Sequence, residues 1–283
     1  MKKTVCIVLI IISFFALSAF EWSQNPVEIE ESFSENRGDC FNTGIVYADE
    51  GFVSVAETGN VIITLKNQDT MGLFNSPLGN SVILVHDNNM MSVYSNLDKT
   101  ADSLTNEYLP VGEVIAESGN SSWHPKTNEN KGSSFKVIDT ERQTAINPMI
   151  LMKDKVAKKY IQIKGLKAID RRGKTIDLYN GASIEAGQYT LYMQRPQNTM
   201  IHESQVSLNG EVKETIAYDS IIQSDDSLTV QGNRNYSCSE IYPDSQSMRL
   251  ADVLLQRGSN TIEILLSNNG DSQTHNYYRI NVK

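Results

Sequence analysis

Apolar residues recur along this chain in short alternating runs separated by polar turns. In "GNSVILVHDNNMMSVYSNL" (79–97), Val82, Leu84 and His86 alternate with Ile83 and Val85. Asp87-Asn88-Asn89 then supplies residues that enter left-handed backbone at low cost, and Val93 and Tyr94 open a return strand to Leu97. The pattern predicts a β-hairpin. Ile45, Tyr47, Phe52, Val53, Val55 and Val61 to Leu65 predict further short strands, with turns at Gly51 and Gly59-Asn60. Another strand pair is expected around Val111 and Val114–Ile115, and "SFKVID" (134–139) reads as one more strand. "TAINPMILM" closes the stretch at residue 152. No helical period of useful length interrupts it, so a compact β domain is expected over 38–152.

Residues 20–37 read as an acidic lead-in with one short edge strand at Val27–Ile29. Residues 153–157 begin a lysine-rich junction and serve as a linker. Beyond it, "TIDLYNG", "GQYTLYMQR", "SQVSLNGEVKETIAYD", "SLTVQG" and "NTIEILLSNNG" carry the strand period with polar turns between. "SMRLADVLLQRG" (247–258) is read as a helical turn or a loop leading into Leu254–Leu255. This spacing predicts a second β domain, a β-sandwich over 158–283. The fold class expected is all-β.

The opening segment changes the picture. "MKKTVCIVLIIISFFALSAF" places Lys2 and Lys3 before an apolar run that ends in small residues. That is the pattern of an export signal over residues 1–19, and an uncleaved membrane anchor is its rival. No later apolar run is long enough to span a membrane as a helix. The expected location is periplasmic or extracellular, at the cell envelope. Residues 21–150 hold 19 acids and 7 bases, a net of −12, whereas 151–283 are nearly balanced. An acidic first half disfavours nucleic acid as a partner. Cys40 and Cys238 fall in different halves outside any Cys-x-x-Cys pair, so they are candidates for one cross-domain disulfide. No nucleophile elbow, phosphate loop or dinucleotide fingerprint is present.

The first domain resembles the M23 peptidases, the LytM or lysostaphin-like endopeptidase domain. The resemblance rests on five phrases in order: "GNVIITL", "PLGNSVILVHDNNMMSVYSNL", "LPVGEVIAESGNS", "GSSFKVID" and "INPMILM". It implies zinc-assisted hydrolysis of peptide bonds in cell-wall peptidoglycan. The family holds its metal through an early His-x-x-x-Asp and the second histidine of His-x-His, with the first of that pair and the histidine of Tyr-x-His-Leu assisting.

Those places are all changed here. Asn42 and Val46 stand for the early pair, Gly132 and Ser134 for the closing pair, and Asn96 for the histidine after Tyr94. The resemblance therefore implies a chain with no catalytic residues, no metal and no cofactor. Valine cannot ligate zinc, and neutral asparagine and serine hold it weakly. His86 matches a family histidine that is usually structural, and His124 cannot build a three-ligand site alone.

The expected function is non-catalytic binding of a peptidoglycan fragment or an envelope protein in the vacated groove. Its candidate contacts are Asn42, Tyr94, Asn96, Trp123, His124 and Ser134. The second domain resembles Ig-like β-sandwich modules. A structural or surface interaction role through that module is one alternative, and a zinc peptidase with a relocated site is another.

Overall fold

A computed structural model describes residues 20–283, apart from 26, 67–75, 101–103, 105–106, 123–131, 155–160, 197–200, 225 and 269–271. The export signal expected over 1–19, and Trp123 and His124, lie outside the described residues. Among the described residues, no helix is long and apolar enough to cross a membrane.

The chain is all-β, as its alternating pattern predicts. The first half contains β1 (Ile29–Glu31), β2 (Ile45–Tyr47), β3 (Phe52–Ser54), β4 (Gly59–Leu65), β5 (Asn80–Val85) and β6 (Met90–Thr100). It continues with β7 (Tyr108–Leu109), β8 (Val114–Ser118), β9 (Ser134–Asp139), β10 (Thr144–Ile146) and a single turn of helix, α1 (Pro148–Leu151). The β5–β6 hairpin forms with Asn89 at φ 61°, in the left-handed region that asparagine tolerates. Its second strand starts earlier and runs further than the sequence pattern suggests. β6 is the spine of this half, because it pairs with β5, β8 and β9, and β9 pairs with β2. Tyr94, Phe135, Leu84, Val82 and Ile45 fill the core beneath it. Two expectations shift. Gly59 and Asn60 open β4 rather than forming a turn, and Val111 lies in the turn between β7 and β8.

The second half contains β11 (Lys167–Asp170), β12 (Thr175–Asp177), β13 (Ser183–Ile184), β14 (Gly187–Gln194), β15 (Ile201–Leu208), β16 (Glu211–Ser224) and β17 (Ser227–Gln231). Then come β18 (Asn235–Ser237), the short helix α2 (Cys238–Ile241), β19 (Ser247–Leu255), β20 (Gly258–Asn268) and β21 (Gln273–Val282). A four-stranded sheet, β12-β11-β14-β19, packs over the layer containing β15, β16, β20 and β21. Leu191, Met193, Leu250 and Val253 of one layer meet Val206, Ile216, Ile262 and Ile264 of the other. The expectation of a helical turn or a loop over 247–258 is corrected. Met248, Leu250, Val253 and Leu255 are buried, and β19 runs from Ser247 to Leu255 with β14 as its partner. A bulge between Leu191 and Tyr192 shifts the register there, which breaks the strict alternation on which a strand reading depends.

The two halves share hydrogen bonds. β10 pairs with β9 on one side and β16 on the other, with Ala145 opposite both Ile138 and Ile221. The loop between β1 and β2 also crosses over. Phe33 and Phe41 belong to the core of the second half, where Phe41 meets the Tyr242 ring edge-on at 6.1 Å.

Candidate functional site

β2, β9 and β6 lie side by side, and their register places Val46 opposite Ser134 and Ser134 opposite Ser95. Asn96 follows one residue later on β6. The fold therefore brings together Val46, Gly132, Ser134 and Asn96, the positions that the M23 resemblance assigns to metal chemistry.

What fills the place is a hydrogen-bond knot. Asn96 sits at φ 59°, and its side-chain amide donates to the carbonyls of Gly119 at 2.9 Å and Gly132 at 2.5 Å. Its side-chain oxygen accepts from the Ser122 amide at 2.9 Å and the Ser122 hydroxyl at 2.8 Å. Its backbone N–H donates to Leu78 and its carbonyl accepts from Gly119. One residue thus ties three segments together, and it is only 2% exposed. Both of its amide protons and both directions of its oxygen are used, so nothing is left over for a ligand.

The remaining predicted contacts are also internal. The Asn42 amide donates to the Ser32 carbonyl at 2.9 Å, and its oxygen lies 3.4 Å from the Gly44 N–H. Ser134 donates to the Ile45 carbonyl at 3.3 Å. Tyr94 is fully buried against Phe135, and its hydroxyl accepts from the Ala56 N–H at 2.8 Å. Burial pushes the Tyr94 phenol up to about 12. Asn42, Tyr94, Asn96 and Ser134 each serve as struts of the interior.

Gly132 shows why a histidine does not fit at this position. A β-carbon there would stand 2.0 Å from the Tyr47 carbonyl oxygen. Any side chain, histidine included, would have to displace backbone in the β2–β9 ladder. The glycine itself is visible in the sequence, but the cause is a contact with a residue far away along the chain.

The loop between β1 and β2 closes over the same region. Ser34 donates to the Asn42 carbonyl, Asn42 to the Glu35 carbonyl, and Arg37 pairs with Glu31 at 2.5 Å. Burial first, and the Arg37 charge second, lower the pKa of Lys136 on β9, which places this loop beside that strand. Cys40 and Cys238 are free thiols. Burial pushes the Cys238 thiol up to about 12, and Cys40 is the next contributor, so the two lie within electrostatic reach.

His86 is a packed residue. Its Nδ1 lies 3.0 Å from the Thr58 carbonyl and its Nε2 lies 2.9 Å from the Ser92 hydroxyl. A carbonyl only accepts, so Nδ1 carries the proton and Nε2 accepts from serine. Phe20 meets the ring edge-on at 5.4 Å. Among the described residues, no three His, Cys, Asp or Glu side chains converge to hold a metal.

Comparison with known proteins adds the following. One family model matches residues 160–283, and that family is uncharacterised. No curated protein matches the chain. Solved structures that match include a chain of the SpoIIQ–SpoIIIAH pore-forming complex, at 18% identity and TM-score 0.39, covering 50% of this chain and 95% of that one. The catalytic domain of the prophage-encoded M23 protein EnpA from Enterococcus faecalis matches at 17% identity and TM-score 0.36, over 46% of this chain and 94% of that one. Lysostaphin from Staphylococcus simulans matches at 13% identity and TM-score 0.39, over 91% of this chain and 90% of that one. At such identities and scores, the functional reading rests on this chain's own residues.

Proposed function

We propose that this chain is an exported, non-catalytic relative of the M23 peptidases that binds a peptidoglycan fragment or an envelope protein without cleaving it. The observation that carries this reading is the Asn96 knot. A catalytic zinc needs three nitrogen or carboxylate ligands around an open position. Here the corresponding space is spanned by an amide donating to Gly132 and accepting from Ser122. Asparagine in that role stabilises the fold and neither holds a metal nor activates water.

Asn42, Tyr94, Asn96 and Ser134 are buried and bonded internally, so on this reading binding falls to the neighbouring Ser121–Ser122 segment. Ser121 and Ser122 are partly exposed there, and Trp123 and His124 follow directly in sequence. An aromatic anchor is the residue type that most often dominates such contacts.

The test uses the intact mature chain, because β10 and the loop bearing Phe33 and Phe41 tie the halves together. Elemental analysis should find less than one zinc per chain, with no cleavage of peptidoglycan. Titration with soluble peptidoglycan fragments, and capture from envelope extract, should both be compared with Trp123→Ala. Retention that is lost in the variant supports the proposal. One tightly held zinc with chelator-sensitive cleavage overturns it.

A further inference from the structure

The second half carries a basin that the M23 resemblance does not touch. It is an open depression of about 510 Å³ lined by Asn180, Gly181, Thr261, Tyr277, Arg279 and Asn281. β20 and β21 form its floor, with Thr261 opposite Arg279 and Ser259 opposite Asn281. The turn before β13 forms one wall. It is fixed because the Arg279 N–H donates to the Asn180 side-chain oxygen at 2.8 Å and the Gly181 N–H donates to the Arg279 carbonyl. The volume lies within the range of small-ligand sites.

The lining has a specific chemistry. Tyr277, on β21, is 56% exposed. Its orientation is held by His275, whose ring lies 4.5 Å away, and His275 is itself paired with Glu263. Tyr277 is therefore an exposed ring held by a neighbouring side chain. Around it stand polar groups with unused capacity. The Arg279 guanidinium, the Asn281 amide and the Thr261 hydroxyl enter no hydrogen bond or ion pair among the described residues, while Asn180 keeps its amide protons. Arg279 offers a planar fork suited to a carboxylate.

We infer that this basin binds a saccharide bearing a carboxylate, with one pyranose ring on Tyr277 and its acid group on Arg279. The lining holds one aromatic ring and no aliphatic side chain, so the side chains of a peptide would find no apolar pocket. A sugar presents an apolar ring face and a rim of hydroxyls, which matches one flat ring edged by amide, hydroxyl and guanidinium groups. Glu263 stands opposite Tyr277 across the β20–β21 pair and is itself bonded to His275, which leaves Arg279 as the cation among the lining residues.

This goes beyond the proposal for the first half. Loss of saccharide binding would leave that proposal standing, and Trp123→Ala would leave this basin intact. The experiment is calorimetric titration of the intact mature chain with a hyaluronan hexasaccharide, which alternates N-acetylated and carboxylate sugars, and with neutral chitohexaose. The hyaluronan probe should bind the unaltered chain. Tyr277→Ala should weaken it by about tenfold or more, the usual scale for losing an aromatic anchor, while Tyr277→Phe retains it. Arg279→Gln should weaken the acidic probe by about tenfold and leave any chitohexaose binding unchanged. Tyr277 and Arg279 are exposed, so unchanged thermal unfolding should accompany each substitution. Failure of the unaltered chain to bind the acidic probe overturns the inference. So does equal binding by Tyr277→Ala, or equally tight binding of a hexaglutamate peptide, which would reduce Arg279 to a general anion contact.

Discussion

The carbonyl oxygen of Tyr47 lies 2.0 Å from the point where a β-carbon on residue 132 would stand. The neighbouring Tyr47 N–H donates to the Ser133 carbonyl at 2.9 Å, so that oxygen cannot move without disturbing the β2–β9 ladder. Gly132→Ala should therefore lower stability by about 2 kcal/mol, within the range for forced overpacking. Urea unfolding with an unchanged slope would measure it. The combined changes Asn42→His, Val46→Asp, Gly132→His and Ser134→His should give a chain that unfolds early or retains no zinc after dialysis. A folded variant holding one zinc would show that the backbone here accommodates a metal site.

Asn96 tests the knot. Asn96→Ala leaves the Gly119 and Gly132 carbonyls and the Ser122 N–H without their buried partners, and each such loss costs about 1–3 kcal/mol. Alanine at φ 59° adds a conformational penalty of about 1 kcal/mol that glycine escapes. Asn96→Gly should thus be less harmful than Asn96→Ala despite having the smaller side chain. The opposite order in chemical denaturation would argue that packing, not backbone, governs the position.

His86 should make stability fall in mild acid. Burial lowers its folded-state pKa from 6.5, although Thr58, Glu57 and Asp87 oppose the shift. The unfolded chain then binds more protons than the folded one below about pH 6.5, so stability is full above that value and declines as pH falls toward the folded pKa. His86→Gln should flatten this part of the stability–pH curve while lowering its plateau. An unchanged slope between about pH 6.5 and 5 would assign the dependence to other groups.

The cysteines should react unequally. Cys40 is exposed, whereas Cys238 is buried with its thiol pushed up to about 12. Iodoacetamide near pH 8 should label Cys40 in the native reduced chain and Cys238 only after denaturation. The two are free thiols in the structure, and the cross-domain bond expected from sequence has its own readout. Chain recovered from an oxidising compartment that takes up no label in denaturant carries the bond, and two labels exclude it.

Local patterning decided much of this protein. The turn at Asp87-Asn88-Asn89 and the Asn209-Gly210 turn between β15 and β16 were legible because residues tolerant of positive φ sit between apolar strands. The absence of histidine at positions 42, 132 and 134 was equally legible, since a ligand is a side-chain identity. Tertiary structure decided what the residues at those positions do. The M23 resemblance implies that Asn42, Asn96 and Ser134 are groove contacts, whereas in the structure they are buried and hydrogen-bonded internally. Tertiary structure alone also shows β10 joining two sheets, Phe33 and Phe41 entering the distant core, and β19 replacing a presumed helical turn. The physical reason is the same in each case. Periodicity reports what a segment does with its own neighbours, whereas steric exclusion at Gly132, the partners of Asn96 and the seat of Phe41 depend on residues brought close only by folding.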